Sequence, residues 1–317
     1  MECPNCSTPS RKFGFTSHGT QRFRCDQCRK TFTPEKENPL GVMRLEMDKA
    51  VSVIRALVEG CSVRSTQRMT NVAKHTILAL LVHVGSNCKR MLEDRLTDVK
   101  VNDIEGDEIW NFVGCKERTK VAKQLGESVG DSYTFVGIER TTKLVVAWHL
   151  GKRSHDDTVT FAHKLSHATS GHFQMTTDGF APYKKVIPDT FGSRVDFSQL
   201  IKVYGKEGGE EQRRYSPPVV TKIDYQEISG SPKHDRASTS FVERSNLSIR
   251  MGVRRFTRLT NGFSKKWKNH EAALALWFAY YNYSRKHMTL KETPAMASGL
   301  ADHVWTIREL IEESAKH

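Results

Sequence analysis

The sequence predicts a multidomain chain: a small cysteine-stapled ribbon, then an all-α segment, then a larger α/β domain. Three observations carry that expectation. Two pairs of closely spaced cysteines open the chain, three stretches of helical periodicity follow them, and from Asp98 onward β-prone segments flank a single helix. A length of 317 residues suits two or three domains.

The first module rests on Cys3-Pro-Asn-Cys6 and Cys25-Asp-Gln-Cys28, separated by eighteen residues. Two residues between cysteines let one tight turn present both thiolates to one ion, and two such turns complete a tetrahedron around Zn²⁺. Cys3, Cys6, Cys25 and Cys28 are therefore read as ligands of one structural Zn²⁺ in a zinc ribbon over residues 1–36. A closed four-thiolate shell leaves no open position for catalysis, and a segment this short takes its folding energy from the metal. Arg11-Lys-Phe-Gly-Phe15 and Gln21-Arg-Phe-Arg24 alternate basic and aromatic residues like a hairpin, with a third strand at Arg29-Lys-Thr-Phe-Thr33. Arg22 and Arg24 are candidate DNA contacts. Cys61, Cys88 and Cys115 lack paired spacing and read as ordinary buried thiols.

Charge narrows the partner. The chain carries 49 Lys and Arg against 36 Asp and Glu, a formal net charge of +13, with a pI near 9.4. Such a surplus points to a polyanion, because Lys and Arg neutralise phosphates and release condensed counterions. A membrane surface would call for a basic amphipathic helix or a lipidation signal, and neither is recognisable. No apolar stretch reaches the roughly eighteen residues that span a bilayer, and Met-Glu-Cys-Pro is unlike the opening of a signal peptide. Double-stranded DNA is the expected partner, no membrane is expected, and the thiols are expected to stay reduced in a cytoplasm.

The second module spans 42–96. Met47, Val51, Ile54 and Val58 recur at the spacing of a helix face. Gly60-Cys61 breaks that helix, Ser62 caps a second short one to Met69, and Thr70-Asn71 leads into a third from Val72 that continues beyond Cys88 through Lys89–Arg95. Two short helices, a tight turn and a third helix match a helix-turn-helix, in which Lys74, His75 and Thr76 would face base edges. A plain helical bundle is the competing reading.

The third module covers 98–300, followed by a C-terminal helix over 301–317. Val101–Val113, Tyr133–Ile138 and Leu144–Trp148 read as an antiparallel meander, His155–His167 as a helix with Asp156 and Asp157 in its first turn, and Phe173–Gly179 as a fourth strand ending on Asp178-Gly179. Three strands, a helix and another strand is the order of a ribonuclease-H-like (retroviral-integrase-like) α/β domain. There the useful carboxylates lie on the first strand, at the end of the fourth and on a later helix: Asp107, Asp178 and Glu243, the last within a helix over Ser240–Arg250. Carboxylates converging from separate elements repel unless cations neutralise them. They make a seat for two Mg²⁺ or Mn²⁺ ions, which about 4 Å apart stabilise attacking and leaving oxygens in an in-line displacement at phosphorus. Alternation places Asp103, Glu105 and Asp107 on one face of the first strand, so periodicity leaves Asp103, Glu105 and Glu108 in competition with Asp107. Asp224 and Asp235 rival Glu243 more weakly, since Gly230 and Pro232 mark their surroundings as loop. Glycines and prolines from Lys202 to Pro218 read as a loop insertion around 200–232, with a DNA or subunit contact through Arg213 and Arg214 as the other option. Beyond it, Arg250, Arg254, Arg255, Arg258, Lys265, Lys266 and Lys268 interleave with Phe256, Phe263 and Trp267, a pattern that can track a DNA backbone. An apolar helix from Glu271 to Tyr283 reads as core.

Glu105-Gly-Asp107-Glu-Ile-Trp-Asn-Phe-Val-Gly114, Thr177-Asp178-Gly-Phe-Ala-Pro-Tyr183 and Phe241-Val-Glu243-Arg-Ser-Asn-Leu-Ser-Ile-Arg250 resemble the three motifs of the DDE transposases of the first-described bacterial insertion-sequence family. That family also carries a zinc ribbon and a helix-turn-helix ahead of its catalytic domain, so the resemblance spans nearly the whole chain. It implies Asp107, Asp178 and Glu243 as catalytic metal ligands and Arg250 near the bound DNA; Asn246 and Arg254 are read as further supporting residues near the site, and Arg255 of the basic stretch as a DNA contact. It further implies binding of terminal inverted repeats, metal-dependent strand cleavage and strand transfer into target DNA. A homo-oligomer handling two transposon ends in a bacterial cytoplasm, beside the nucleoid, follows from the same resemblance. Tyr281-Asn-Tyr-Ser-Arg285-Lys-His287 resembles the closing segment of integrase-type enzymes, many of which have Pro where this chain has Lys286. A metal-dependent nuclease or resolvase of the same fold, and a DNA-binding regulator without catalysis, are the alternative functions.

Overall fold

The structure is a computed structural model that describes residues 1–17, 19–33, 38–205, 220–257 and 260–317. Arg213, Arg214, Pro218 and Arg258, singled out in the sequence, lie outside the described residues. The chain divides into two compact units, Met1–Val42 and Met43–His317.

The first unit is a three-stranded antiparallel sheet of β1 (Ser10–Phe15), β2 (Gln21–Cys25) and β3 (Thr31–Phe32), in that order. Its apolar content is small. Phe23 stacks on Phe32 with ring centroids 6.0 Å apart, and the Phe13 ring lies beneath the guanidinium groups of Arg22 and Arg24.

The second unit begins with α1 (Met47–Val58), α2 (Val63–Thr70) and α3 (Lys74–Arg95). The Ser62 hydroxyl accepts the Ser65 amide as the N-cap of α2, and Asn71 at φ 55° ends that helix in the left-handed region. The chain continues through β4 (Val99–Lys100), β5 (Asp103–Val113), α4 (Glu117–Ala122), β6 (Gly130–Glu139), β7 (Val145–Gly151), α5 (His155–Ala168), β8 (Thr169–Ser170) and β9 (Phe173–Thr177). It closes with α6 (Tyr183–Phe191), β10 (Val195–Tyr204), β11 (Val220–Ser229), α7 (Ser240–Gly252), α8 (Trp267–Tyr283), α9 (Pro294–Ala297) and α10 (Ile307–Ser314).

The main sheet has the order β11-β10-β9-β5-β6-β7. β5, β6 and β7 form an antiparallel meander, β9 returns parallel to β5, β10 runs parallel to β9, and β11 turns back antiparallel. The expected loop around 200–232 therefore gives way at both ends to strand: β10 runs to Tyr204 and β11 from Val220. Asp224, read as a loop residue, lies on β11 opposite Ile201. Gly230 and Pro232, which suggested loop around Asp224, fall just after the end of β11 at Ser229, and Val220–Ser229 pairs along the edge of β10.

Side-chain alternation sorts the helices onto two faces. Phe135 of β6 meets Phe161 of α5 and Tyr183 of α6 on one face. On the other, Asp107 and Glu105 of β5 reach α7, and Trp148 of β7 packs on Phe278 of α8 at 5.3 Å. α8 also ties the sheet to α3. The two helices cross so closely at Gly85 that a methyl group there would lie 2.2 Å from the Ala272 carbonyl oxygen. Buried Asn282 accepts the Val145 amide at 3.1 Å and donates to the Val145 carbonyl at 3.0 Å. Among the described residues, no helix is long and apolar enough to cross a membrane.

Asn282→Ala leaves both Val145 peptide groups without that partner in a dry environment, at about 1–3 kcal/mol for each orphaned group. Urea denaturation should show a lower midpoint at unchanged slope; an unchanged midpoint would mean that this amide does not clamp α8 to the sheet.

Candidate active site

β9 pairs with β5 only as far as Thr177 opposite Gly106. A methyl group on Gly106 would lie 2.9 Å from Met175 Cε and 3.1 Å from Thr177 Cγ2, so glycine lets the two strands approach at that point. Beyond it β5 runs on without β9 beside it. Asp107 and Glu108 border this notch from opposite faces of the sheet, and Asp178, one residue past the end of β9, meets both. Oxygens of Asp107, Glu108 and Asp178 lie within 4.8 Å of one another.

The four acidic residues on β5 have separate surroundings. Asp103 is paired with Arg236, with Nη2 at 2.8 Å. Glu105 is 2 % exposed and accepts the amides of Phe241 and Val242 at 2.7 and 3.0 Å, so its carboxylate seats the first turn of α7. Asp107 accepts its neighbour's amide at 2.8 Å and the Asn246 side-chain amide at 2.7 Å. Glu108 binds Arg153 through one oxygen at 3.1 Å, and its carboxyl is also faced by the buried Tyr183 hydroxyl.

Glu243, Asn246 and Arg250 recur at three- and four-residue spacing on α7 and so share a helix face. Glu243 lines the same cleft of about 580 Å³ as Asp107 and Asp178, together with Arg153, Phe180 and Lys202. Its carboxylate accepts from Lys202 Nζ and from the Thr239 hydroxyl and stands outside the tight Asp107–Glu108–Asp178 group. The structure thus brings the three sequence candidates into one cleft and adds Glu108 to the closest cluster.

Burial, then the charge of Asp178, raises the Asp107 carboxyl from 3.8 to about 7 and the Glu108 carboxyl from 4.5 to about 8. Arg153 partly offsets this crowding: its guanidinium contacts Glu108, lies 3.7 Å from Asp178 and sits 4.2 Å from the Phe180 ring centroid. Gln199, fully buried on β10, donates to the carbonyls of Asp178 and Phe180 at 2.7 and 3.1 Å and holds the loop that carries Asp178. Sequence reasoning missed Arg153, Gln199 and Lys202 because each comes from an element distant along the chain and no spacing links it to a carboxylate. Hard oxygen donors within 4.8 Å of one another and crowding that disfavours full ionisation fit a divalent cation.

Arg254 and Arg255 do not line this cleft; they line a separate cavity with Lys74. Lys74 and His75 are exposed at the start of α3, and Thr76 is half-buried. Phe256, one of the aromatics interleaved with the basic stretch expected to track DNA, is 2 % exposed and belongs to the core, stacked on His270. Of the thiols expected to be buried, only Cys88 is; burial pushes it up to about 12, whereas Cys61 and Cys115 are half-exposed.

In the first unit the four cysteine sulfurs converge. Cys3 and Cys28 sulfurs lie 3.6 Å apart, Cys6 and Cys25 sulfurs 3.4 Å, and all four are within 4.8 Å. Zn–S bonds of about 2.3 Å in a tetrahedron require sulfurs about 3.8 Å apart, so the cluster fits one zinc ion. Ser7 and Arg29, which follow the second cysteine of each pair, both take positive φ, 52° and 58°: the two turns share one geometry. The Thr8 hydroxyl and the Cys28 amide hold the Cys25 thiol down to about 6, whereas, against the Lys30 backbone contact, burial and the other three thiols push Cys28 up to about 11.

No protein-family model matches the chain, and no curated protein matches it. Among solved structures, it is similar to a cryo-EM structure of piggyBac transposase in a synaptic complex with hairpin DNA. That likeness covers 85% of this chain and 70% of the other at 9% identity, with a TM-score of 0.36. At that score too little backbone superposes for the likeness to support an argument.

Two outcomes are expected. Because Asp107 and Glu108 stay protonated in the fold up to about 7 and 8, against 3.8 and 4.5 ordinarily, their contribution to stability is present below about pH 4 and lost as pH rises through those values. Chelator-treated Asp178→Asn should therefore melt above the parent at pH 8 and converge with it near pH 4 in a thermal scan; equal melting at pH 8 would remove the crowding argument. Elemental analysis should find about one zinc per chain, lost in Cys25→Ser together with amide protection of β1 and β2 in hydrogen exchange.

Proposed function

We propose that the chain is a DNA transposase whose ribonuclease-H-like catalytic domain uses Asp107, Asp178 and Glu243. The observation that carries this reading is the delivery of Asp107 and Asp178, by adjacent parallel strands, to one cleft into which α7 also brings Glu243. The meander β5–β6–β7, the helix α5 and the parallel return of β9 beside β5 support the fold that the sequence suggested. The helix-turn-helix of α1–α3, with Lys74, His75 and Thr76 at the start of its third helix, and the ribbon with Arg22 and Arg24, are read as the parts that bind DNA ends.

Asp107, Asp178 and Glu243 would hold Mg²⁺ or Mn²⁺, with Glu108 in reach of the first two. When bound, these ions supply Lewis acidity at the phosphate and a more acidic water. The chain's own groups orient the reaction. Asn246 fixes one Asp107 oxygen, Gln199 fixes the Asp178 loop, and Arg153 and Lys202 balance the carboxylates and are placed to turn toward an entering phosphate. In the first step a water oxygen attacks phosphorus as the P–O3′ bond breaks, freeing a 3′-hydroxyl. In the second that hydroxyl attacks a target phosphodiester, exchanging one P–O bond for another. Two DNA ends must be handled together, which calls for a homo-oligomer.

Asp107→Asn, Asp178→Asn and Glu243→Gln should each lower Mg²⁺-dependent cleavage of a duplex carrying the terminal repeat by at least about a thousandfold, as expected for losing a charge-stabilising group, while mobility shifts show unchanged DNA binding. Cutting within about tenfold of the parent by any of these variants would refute the triad. Joined products with a target plasmid separate a transposase from a nuclease of the same fold, which would give cleavage alone.

A further inference from the structure

A second cavity in the second unit lies away from the carboxylates. It encloses about 710 Å³ between the start of α2, the first half of α3, residues 252–255 and the first half of α8. That volume falls within the roughly 300–1,000 Å³ of small-molecule sites. Arg64, Lys74, Arg254, Arg255, Lys265 and Lys266 line it, and no Asp or Glu does. Among the described residues none of these six cations is ion-paired with an acidic side chain, whereas the cations of the acidic cleft are. Its apolar lining is formed by Leu57, Leu78 and the half-exposed Phe263 ring, over a buried layer of Leu81, Leu276 and Trp277.

Arg255 is held in a defined place. Its guanidinium donates to the Ser264 hydroxyl at 3.2 Å, and its carbonyl accepts the side-chain amide of Asn111 at 2.9 Å. Asn111 lies on β5 four residues beyond Asp107, on the same face by alternation and about 13 Å along the strand. One rigid strand therefore fixes the separation between the carboxylate cleft and the cationic cavity. Burial holds Arg255 down to about 10, as expected of a cation removed from water without a counter-charge.

A cationic rim on an apolar, aromatic lining matches a nucleotide, which joins an anionic phosphate to a flat ring system. We propose that this cavity binds one nucleotide unit displaced from a DNA strand, its phosphate on Arg254 and Arg255 and its base against Leu78 and Phe263. The placement within a DNA strand rests on the reading of the chain as a DNA-processing enzyme. The cavity would hold a strand in register with the Asp107 cleft by capturing a neighbouring nucleotide.

Cys61 lines the cavity and is half-exposed, so its thiol reports occupancy; Cys115, half-exposed and outside the cavity, is the control. The zinc-loaded full chain is alkylated with N-ethylmaleimide and Cys61 modification is followed by peptide mass spectrometry, with dAMP, inorganic phosphate, hexaglutamate or an oligodeoxynucleotide as probe. At about ten times its dissociation constant, dAMP should slow Cys61 modification about tenfold by simple occupancy and leave Cys115 unchanged. The single-stranded oligonucleotide should protect likewise, and Lys265→Glu/Lys266→Glu, at two exposed positions, should weaken both effects. Equal protection by inorganic phosphate or hexaglutamate would reduce the cavity to a general anion seat and overturn the proposal. No protection by dAMP or oligonucleotide, in a protein that still shifts duplex DNA, would overturn the pocket and leave the DNA reading standing. Protection by dAMP in a chain that neither binds nor cuts DNA would keep the nucleotide site and overturn the DNA reading instead.

Discussion

Carboxylates cannot be gathered in a half-dry notch without something to balance them, and much of the second unit is arranged around that constraint. β5 and β9 run parallel and part company just where Asp107 begins, so Asp107, Glu108 and Asp178 face a gap rather than a neighbouring strand. Their mutual repulsion is met by Arg153 on the α5 side, by Asn246 on the α7 side and by raised carboxyl pKa values. Lys202 performs the same service for Glu243. Repulsion of this kind opposes stability, and a fold tolerates it where the same groups act on a charged ligand.

Rigid supports keep the notch in shape, and most are polar and buried. Glu105 fixes the first turn of α7 and hence the direction in which Glu243 and Asn246 project. Gln199 fixes the loop that carries Asp178. Asn282 joins α8 to β7, and the close crossing at Gly85 joins α8 to α3. Each of these groups would be costly to leave unpaired or to enlarge, so each converts chain connectivity into fixed geometry.

The elements of the fold were largely legible. Alternation in Tyr133–Ile138 and Leu144–Trp148, helical spacing from Met47 to Val58, and the Ser62 cap correspond to β6, β7, α1 and the start of α2. β11 was not legible, because the nearby glycines and prolines masked a strand whose partner, β10, is supplied only by the fold. Asp103, Glu105 and Asp107 share one face and look alike in sequence. They differ only in what packs above them: Arg236, the α7 amides and Asn246.

The sequence by itself determined the pieces: four cysteines at metal-binding spacing, a surplus of cations, the order of strands and helices, and three carboxylates on separate elements. Local spacing suffices for these because a turn, a helix face or a strand face is set by residues close along the chain. Only the tertiary structure decided that Glu108 stands in the closest carboxylate group, that Arg153 is that group's counter-charge and Lys202 that of Glu243, and that Arg254 and Arg255 face a different cavity. Those facts depend on which distant segments meet. That is governed by close approach at Gly85 and Gly106 and by buried polar contacts between elements far apart in sequence, for which a linear chain has no local signal.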